Sequence, residues 1–298
     1  MNTAIKNSFT IKDLENLSGI KAHTIRIWEK RHQILSPMRT DTNIRYYDAT
    51  SLQKLLNVKL LNEHGYKLTL ISGLSDERIA AFVRQIVSEK SAKFHAISNF
   101  KMAMMNFDQP LFFNTYNALL AEKSFREVFY EVFIPLMQEI GLLWQTGTIT
   151  PAHEHFISYL LRQKILTNIE RIQVLDYTQH DKVFVLFLPK NELHDVGLMY
   201  VNYEITLNGF KSIYLGESVP LESLHDLKNL FKNIIYVSYL TVEPQADDLQ
   251  KYLSRFSSEV MDETAQFWIL GRRVQDMPEI LPPNIRVFSQ ISDLINEL

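Results

Sequence analysis

Residues 189 to 197 read PKNELHDVG and follow the apolar run VFVLFL, so Glu192, His194 and Gly197 stand where a buried strand ends. An imidazole in that place is either an ordinary loop residue or a group aimed at a ligand. Ser238, near the end of IIYVSYL, and Gly271, just after QFWIL, hold comparable positions on two other apolar runs. A second group, His153, Glu154 and His155, opens the segment after Pro151. Two residues apart on a helix point about 200° from one another, so His153 and His155 cannot grip one ion. In isolation, a Glu-His pair in a first helical turn reads as exposed decoration, and the Glu suits the helix dipole. The chain has no Cys, which excludes disulfides, thiolate zinc sites and a Cys nucleophile.

The elements that would position these groups fall in three blocks along the 298 residues: 1–75, 76–178 and 179–298. The first holds eleven Lys/Arg against six Asp/Glu, a net +5, while the other 223 residues hold twenty against twenty-eight, a net −8. A basic head on an acidic body suits a polyanionic partner met by the head. Within the head, Thr10 and Asp13 have the spacing of a capping box, and Ser18-Gly19 ends a two-turn helix. A second helix, about Ala22 to Arg31, is basic. Two short helices about a Gly-containing turn are the layout of a helix-turn-helix. The segment LSPMRTDTNIRYYD reads as a small β-hairpin, or wing, and Asp48 caps a longer helix of about Ala49 to His64.

From Ser75 to about Gln173 the periodicity is helical, with segments near 76–88, 91–106, 109–121, 124–144 and 152–173, the last four making a four-helix bundle. Val128, Val132, Leu136 and Ile140 repeat in steps of four and form a core stripe. Beyond 180, apolar runs at 182–188, 211–216, 233–240, 266–271 and 284–289 alternate with amphipathic segments at 195–208, 221–232, 244–256 and 290–298. That alternation predicts a doubly wound, Rossmann-like parallel sheet with helices on both faces. Ligands of such sheets bind outside the carboxyl ends of the strands, where His194, Ser238 and Gly271 converge.

The head resembles the MerR family of winged-helix regulators in FTIKDLENLSGIKAHTIRIWEKR, RTDTNIRYY and DATSLQKLLNVKLLNEHGYKL. The resemblance implies that Thr24, Arg26, Arg39, Arg45 and Tyr47 face double-stranded promoter DNA, whereas Trp28 packs the small core. The C-terminal block resembles the cobalamin-binding fold, whose acidic-x-His-x-x-Gly, Ser-x-Leu and Gly-Gly signature here reads Glu192 to Gly197, Ser238 to Leu240, and Gly271-Arg272. Trp144, nine residues, then Glu154-His155 resembles the motif of helical bundles that cap cobalamin's upper face. Together these are similar to the MerR-type, cobalamin-dependent, light-responsive repressors (the LitR and CarH type).

That resemblance implies a cobalamin, adenosyl- or methyl-, with His194 as the cobalt ligand and Glu192 tuning its basicity. Gly197, Ser238, Leu240 and Gly271 would lie about the displaced nucleotide tail, and Trp144, Glu154 and His155 about the upper face. Gln145 stands where light-sensing members have a His, and Arg272 where the family has its second Gly. The expected protein is a cytoplasmic regulator, not an enzyme, acting as a homo-oligomer (dimer or tetramer), with no membrane partner. Two rivals are a regulator whose body senses through protein contacts, and a corrinoid carrier or enzyme component.

Overall fold

The computed structural model describes residues 8–85, 89–173, 176–278 and 280–298. By packing, the chain divides into two compact units, Met1–Leu160 and Leu161–Leu298. The head and the helical middle as far as Leu160 lie in the first of these units.

In the first unit, α1 (Ile11–Ser18) and α2 (Ala22–His32) form the helix-turn-helix. Thr10 and Asp13 make the expected capping box, and Gly19 ends α1 at φ +74°. Strands β1 (Met38–Arg39) and β2 (Arg45–Tyr46) pair antiparallel as the wing. Helix α3 (Ala49–Glu63) starts on the Asp48 carboxylate, which accepts from Ser51 N–H at 2.8 Å. Then come α4 (Leu68–Ile71), α5 (Asp76–Gln85), α6 (Glu89–Asn106), α7 (Gln109–Leu120) and α8 (Phe125–Val128). A π-helical turn, Phe129–Phe133, leads into α9 (Ile134–Gln145). Its cause is local: Pro135 has no N–H to give the Glu131 carbonyl, and the Ile134 N–H bonds back to Phe129 O instead. Val128, Val132, Leu136 and Ile140 are all buried, as their spacing predicts. Phe100 packs on Phe112 and Phe133 at ring separations of 4.9 and 5.7 Å.

Head and bundle are bonded to each other at the end of α1. The buried Lys101 of α6 donates to Leu17 O at 2.9 Å and pairs with Glu139 of α9 at 2.6 Å. Lys59 of α3 donates to Ser18 O at 2.8 Å, and Asn16 donates to the Thr148 hydroxyl at 3.1 Å. These lysines satisfy carbonyls that the short α1 leaves without intrahelical partners.

Helix α10 (Pro151–Ile172) leads to β3 (Gln179–Pro189), α11 (Val196–Leu207), β4 (Phe210–Val219), α12 (Leu227–Leu230), β5 (Ile234–Tyr239), α13 (Ala246–Arg255), β6 (Gln266–Leu270), β7 (Ile285–Val287) and α14 (Ile291–Ile295). The sheet is parallel throughout, in the order β4-β3-β5-β6-β7. The chain goes from β3 outward to β4 and then returns to the other side of β3, so the order reverses between β3 and β5. The segment expected to be a helix over 221–232 is instead a 3₁₀ turn, Leu221–Leu224, followed by the one-turn α12. Leu221, Leu224, Leu227 and Leu230 recur every three residues, the 3₁₀ period, and Leu230 is 70% exposed.

Candidate cobalamin and DNA sites

The loop after β3 is built around one carboxylate. Glu192 is fully buried. Its Oε1 accepts from Leu193 N–H and His194 N–H, each at 3.0 Å, and from His194 Nδ1 at 2.5 Å. Its Oε2 accepts from three successive amides after β5: Thr241 at 3.1 Å, Val242 at 2.6 Å and Glu243 at 2.9 Å. One side chain thus ties the β3 loop to the β5 loop across the reversal in strand order, where an open α/β sheet offers its binding crevice. Burial by itself would raise the carboxyl pKa. The bonds from the His194 ring and from the Val242, Glu243 and His194 amides outweigh it and hold the group at about 2. Because the carboxylate only accepts, Nδ1 of His194 carries a proton, so the neutral ring has its lone pair on Nε2.

The His194 side chain is 55% exposed, and the exposed Leu193 and Val242 belong to the same two loops. The loop is also fixed from β4, where Ser218 N–H donates to Glu192 O at 3.2 Å and the Ser218 hydroxyl accepts from Asn191 N–H at 3.0 Å. Burial raises the pKa of Asp195, against the opposing charge of Arg162. Burial, then the charge of Asp195, raises that of Glu217.

Ser238 is fully buried, and its hydroxyl has no hydrogen-bond partner among the described residues. A Cβ on Gly271, at φ +104°, would lie 2.3 Å from Leu240 O, so only glycine fits. Leu240 is fully buried and bonds through its N–H to Leu270 O at 2.7 Å. A Cβ on Gly197 would lie 2.7 Å from the Tyr239 ring, so Tyr239 is what makes the close approach there. The two arginines after Gly271 separate. Arg272 is exposed, while Arg273 folds back to Val242 O at 2.8 Å, Gln245 at 3.1 Å and Asp276 at 2.9 Å.

The donor set fits a corrinoid: an imidazole of fixed tautomer, apolar neighbours beside it, and an unsatisfied buried hydroxyl. Sequence reasoning did not find Arg162, Asp195 or the Thr241–Glu243 amides. Asp195 lies in the loop itself, and Arg162 and the three amides reach the loop from distant segments that no local pattern marks.

In the helical unit, Trp144 is 49% exposed at the end of α9. Glu154 accepts from the Ser158 hydroxyl at 2.7 Å and lies 3.4 Å from His155 Nε2. His155 is exposed, whereas His153 is buried, stacked on Phe107 at 4.9 Å. His153 Nδ1 meets the Thr150 N–H at 3.2 Å and the Thr150 hydroxyl at 2.8 Å, so His153 fixes the start of α10. The two histidines point apart, as their spacing requires.

In the head, Arg26, Arg39 and Arg45 are exposed and Thr24 is half-buried. Arg39 bonds across the wing tip to Asn43 Oδ1 at 2.6 Å, and Arg45 lies 3.9 Å from Glu29. Trp28 is buried, as expected. Tyr47 does not stand with the arginines, contrary to the expectation that it faces DNA. Its ring is fully buried, its hydroxyl donates to Glu29, and its backbone is paired both ways with Phe9 at 2.7 and 2.8 Å. The isolated bridge to Phe9, outside the two-stranded wing, holds this residue against the core.

Residues 9–77 match the profile of the MerR HTH family regulatory protein, and residues 96–166 that of the B12 binding domain. The chain is 25% identical over 225 residues to the HTH-type transcriptional repressor CarH of Myxococcus xanthus, covering 74% of each chain. It is 22% identical over 228 residues to the repressor CarA of the same organism, covering 72% of this chain and 70% of that one. Among solved structures, the monomethylamine corrinoid protein of Methanosarcina barkeri superposes with a TM-score of 0.56 at 12% identity, over 68% of this chain and 96% of that chain, a likeness of fold. The chain thus carries a MerR-type helix-turn-helix region followed by a B12-binding region, and the pairing supports a cobalamin-regulated, DNA-binding repressor.

Proposed function

We propose that this regulator is a cytoplasmic repressor whose hold on promoter DNA is set by a cobalamin bound through His194. The observation that carries the reading is the Glu192–His194 pair, in which a buried carboxylate fixes the tautomer that puts the lone pair on Nε2. A lower axial nitrogen is what the loop would supply, and the cofactor would bring a cobalt centre with an exchangeable upper group. Leu193 and Val242 would lie under the corrin, and Ser238 would bond the displaced nucleotide tail once the Tyr239 ring gives way beside Gly197. Trp144, Glu154 and His155 are assigned to the upper face on motif spacing.

Arg26, Arg39, Arg45 and Thr24 would contact DNA, with the protein acting as a homo-oligomer on paired half-sites. The cofactor can act as a switch only by binding two arrangements of the protein with different affinity. Two features support a regulator over an enzyme or corrinoid carrier: the MerR head and the likeness to two repressors.

The test is the visible spectrum of the dark, desalted protein after mixing with adenosyl- or methylcobalamin, beside His194→Ala. The expected result is a retained corrinoid whose band shifts in the wild type and not in the variant. A colourless wild type with adenosyl-, methyl- and hydroxocobalamin would leave a cobalamin-like fold that senses by protein contacts. Illuminating the loaded sample on a sizing column, with DNA binding measured before and after, decides whether light is the signal despite Gln145.

A further inference from the structure

Arg162 of α10 touches both residues that flank His194, with a hydrogen bond to one and an ion pair to the other. Its Nε lies 2.6 Å from Asp195 Oδ1, and its Nη2 donates to Leu193 O at 3.3 Å. The same Nη2 lies 3.2 Å from Glu217 Oε1, near the end of β4. The guanidinium therefore joins three segments of the α/β unit: its own helix, the loop on either side of the imidazole, and the neighbouring strand. The Asp195 side chain is 8% exposed, so its charge is held out of water and depends on this partner.

Glu192 and Arg162 do different work on the loop. Glu192 grips the Nδ1 edge of the ring and the amides of Leu193 and His194 from the sheet side. The Leu193 carbonyl accepts from the Asp195 N–H at 3.0 Å and takes Arg162 as a second donor, while the Asp195 carboxylate is paired with the same guanidinium. The broad guanidinium reaches a carbonyl and two carboxylates at once, through one hydrogen bond and two ion pairs, whereas an ammonium is a single compact charge.

We propose that Arg162 is a positioning residue for the lower ligand, fixing the direction of His194 Nε2 through Leu193 O and Asp195. The proposal rests on His194 being the axial ligand, as proposed above. It assigns to the chain's own fold a term in corrinoid binding that neither the His nor its paired carboxylate provides. Changing the outer partner of a metal-bound imidazole commonly costs about 10- to 100-fold in affinity, and the same scale is expected here.

The experiment uses the full chain as wild type, Arg162→Lys and Arg162→Gln, with two probes: adenosylcobalamin, and adenosylcobinamide, which lacks the nucleotide base. With cobinamide only the protein can provide the lower nitrogen, so the band shift reports His194 directly. The expected result is about a tenfold or greater loss of the ligated fraction or of affinity in Arg162→Gln. Arg162→Lys should recover less than half of it, although its corrinoid-free thermal midpoint equals that of the wild type. Wild-type ligation and affinity in Arg162→Lys would overturn the proposal, and the Lys variant decides the matter should the Gln variant fail to fold. A wild type that binds neither probe overturns instead the cobalamin reading on which the proposal rests.

Discussion

Glu192 holds the His194 ring at 2.5 Å through one oxygen, while its other oxygen holds Val242 N–H at 2.6 Å on the neighbouring loop. The residue that orients the imidazole is therefore also the one that fastens β3 to β5. Glutamate has the length for both. An aspartate, the more general residue of the signature, is one methylene shorter.

This double role sets a pH dependence. The Glu192 carboxyl lies at about 2 in the fold, against 4.5 for a free glutamate side chain. A depressed folded value gives stability that is complete above pH 4.5 and is lost as pH falls from 4.5 towards 2. Glu192→Gln should destabilise the corrinoid-free protein by about 3 kcal/mol near neutrality, because it breaks a buried network and leaves amide donors facing an amide. Urea unfolding of both proteins should show a constant gap at mildly acidic to neutral pH and a shrinking one below 4.5. A gap that does not change on acidification would mean that the carboxylate is not the source.

Gly271→Ala places a methyl 2.3 Å from Leu240 O at a φ of +104°. The backbone of Leu240 must move, and with it the Thr241–Glu243 amides that Glu192 holds. The expected cost is about 2–4 kcal/mol from overpacking and strain together, read as a lowered thermal midpoint. Arg272→Gly, although it restores a family residue, should change stability by less than about 1 kcal/mol, because Arg272 is exposed at an ordinary φ.

Lys101 serves the contact between head and bundle. Lys101→Met keeps the stem but leaves Leu17 O and Glu139 without their donor. A loss of about 1–3 kcal/mol is expected in chemical unfolding. Lys101→Arg, which keeps the charge, should recover part of it. Equal stability of Lys101→Met and wild type would show that the bonds at the end of α1 do not hold the two parts together.

Arg45 on the wing and Tyr47 just beyond it have different surroundings, one exposed and one buried. Arg45→Ala should weaken binding to all DNA sequences and lower the slope of log affinity against log salt by about 1, the signature of one lost phosphate contact. Tyr47→Phe should leave that slope unchanged and cost about 1 kcal/mol of stability, through the lost bond to Glu29. Filter-binding titrations over a salt series separate the two. Matching slopes for Arg45→Ala and wild type would remove Arg45 from the interface.

The order of elements was legible in the sequence because each rests on local physics. Thr10 and Asp13 cap α1, Asp48 caps α3, the period-four stripe from Val128 to Ile140 makes a core, and short apolar runs between amphipathic segments make a parallel sheet. The loop bearing Glu192 and His194 could be found the same way, since it follows a buried strand. What the sequence could not supply was anything set by contacts between distant segments. Tyr46 and Tyr47 look alike in sequence, and only pairing with Phe9 turns Tyr47 inward. The π turn at Phe129–Phe133 and the 3₁₀ turn at Leu221–Leu224 depend on which carbonyls find donors. The grip of Glu192 on Val242, and of Arg162 on Leu193 and Asp195, joins residues 50 and 31 or more positions apart. Residue spacing placed the imidazole at the carboxyl end of the sheet, and the tertiary structure decided which way it points, because its orientation is set by contacts that exist only once β3, β5 and α10 are packed.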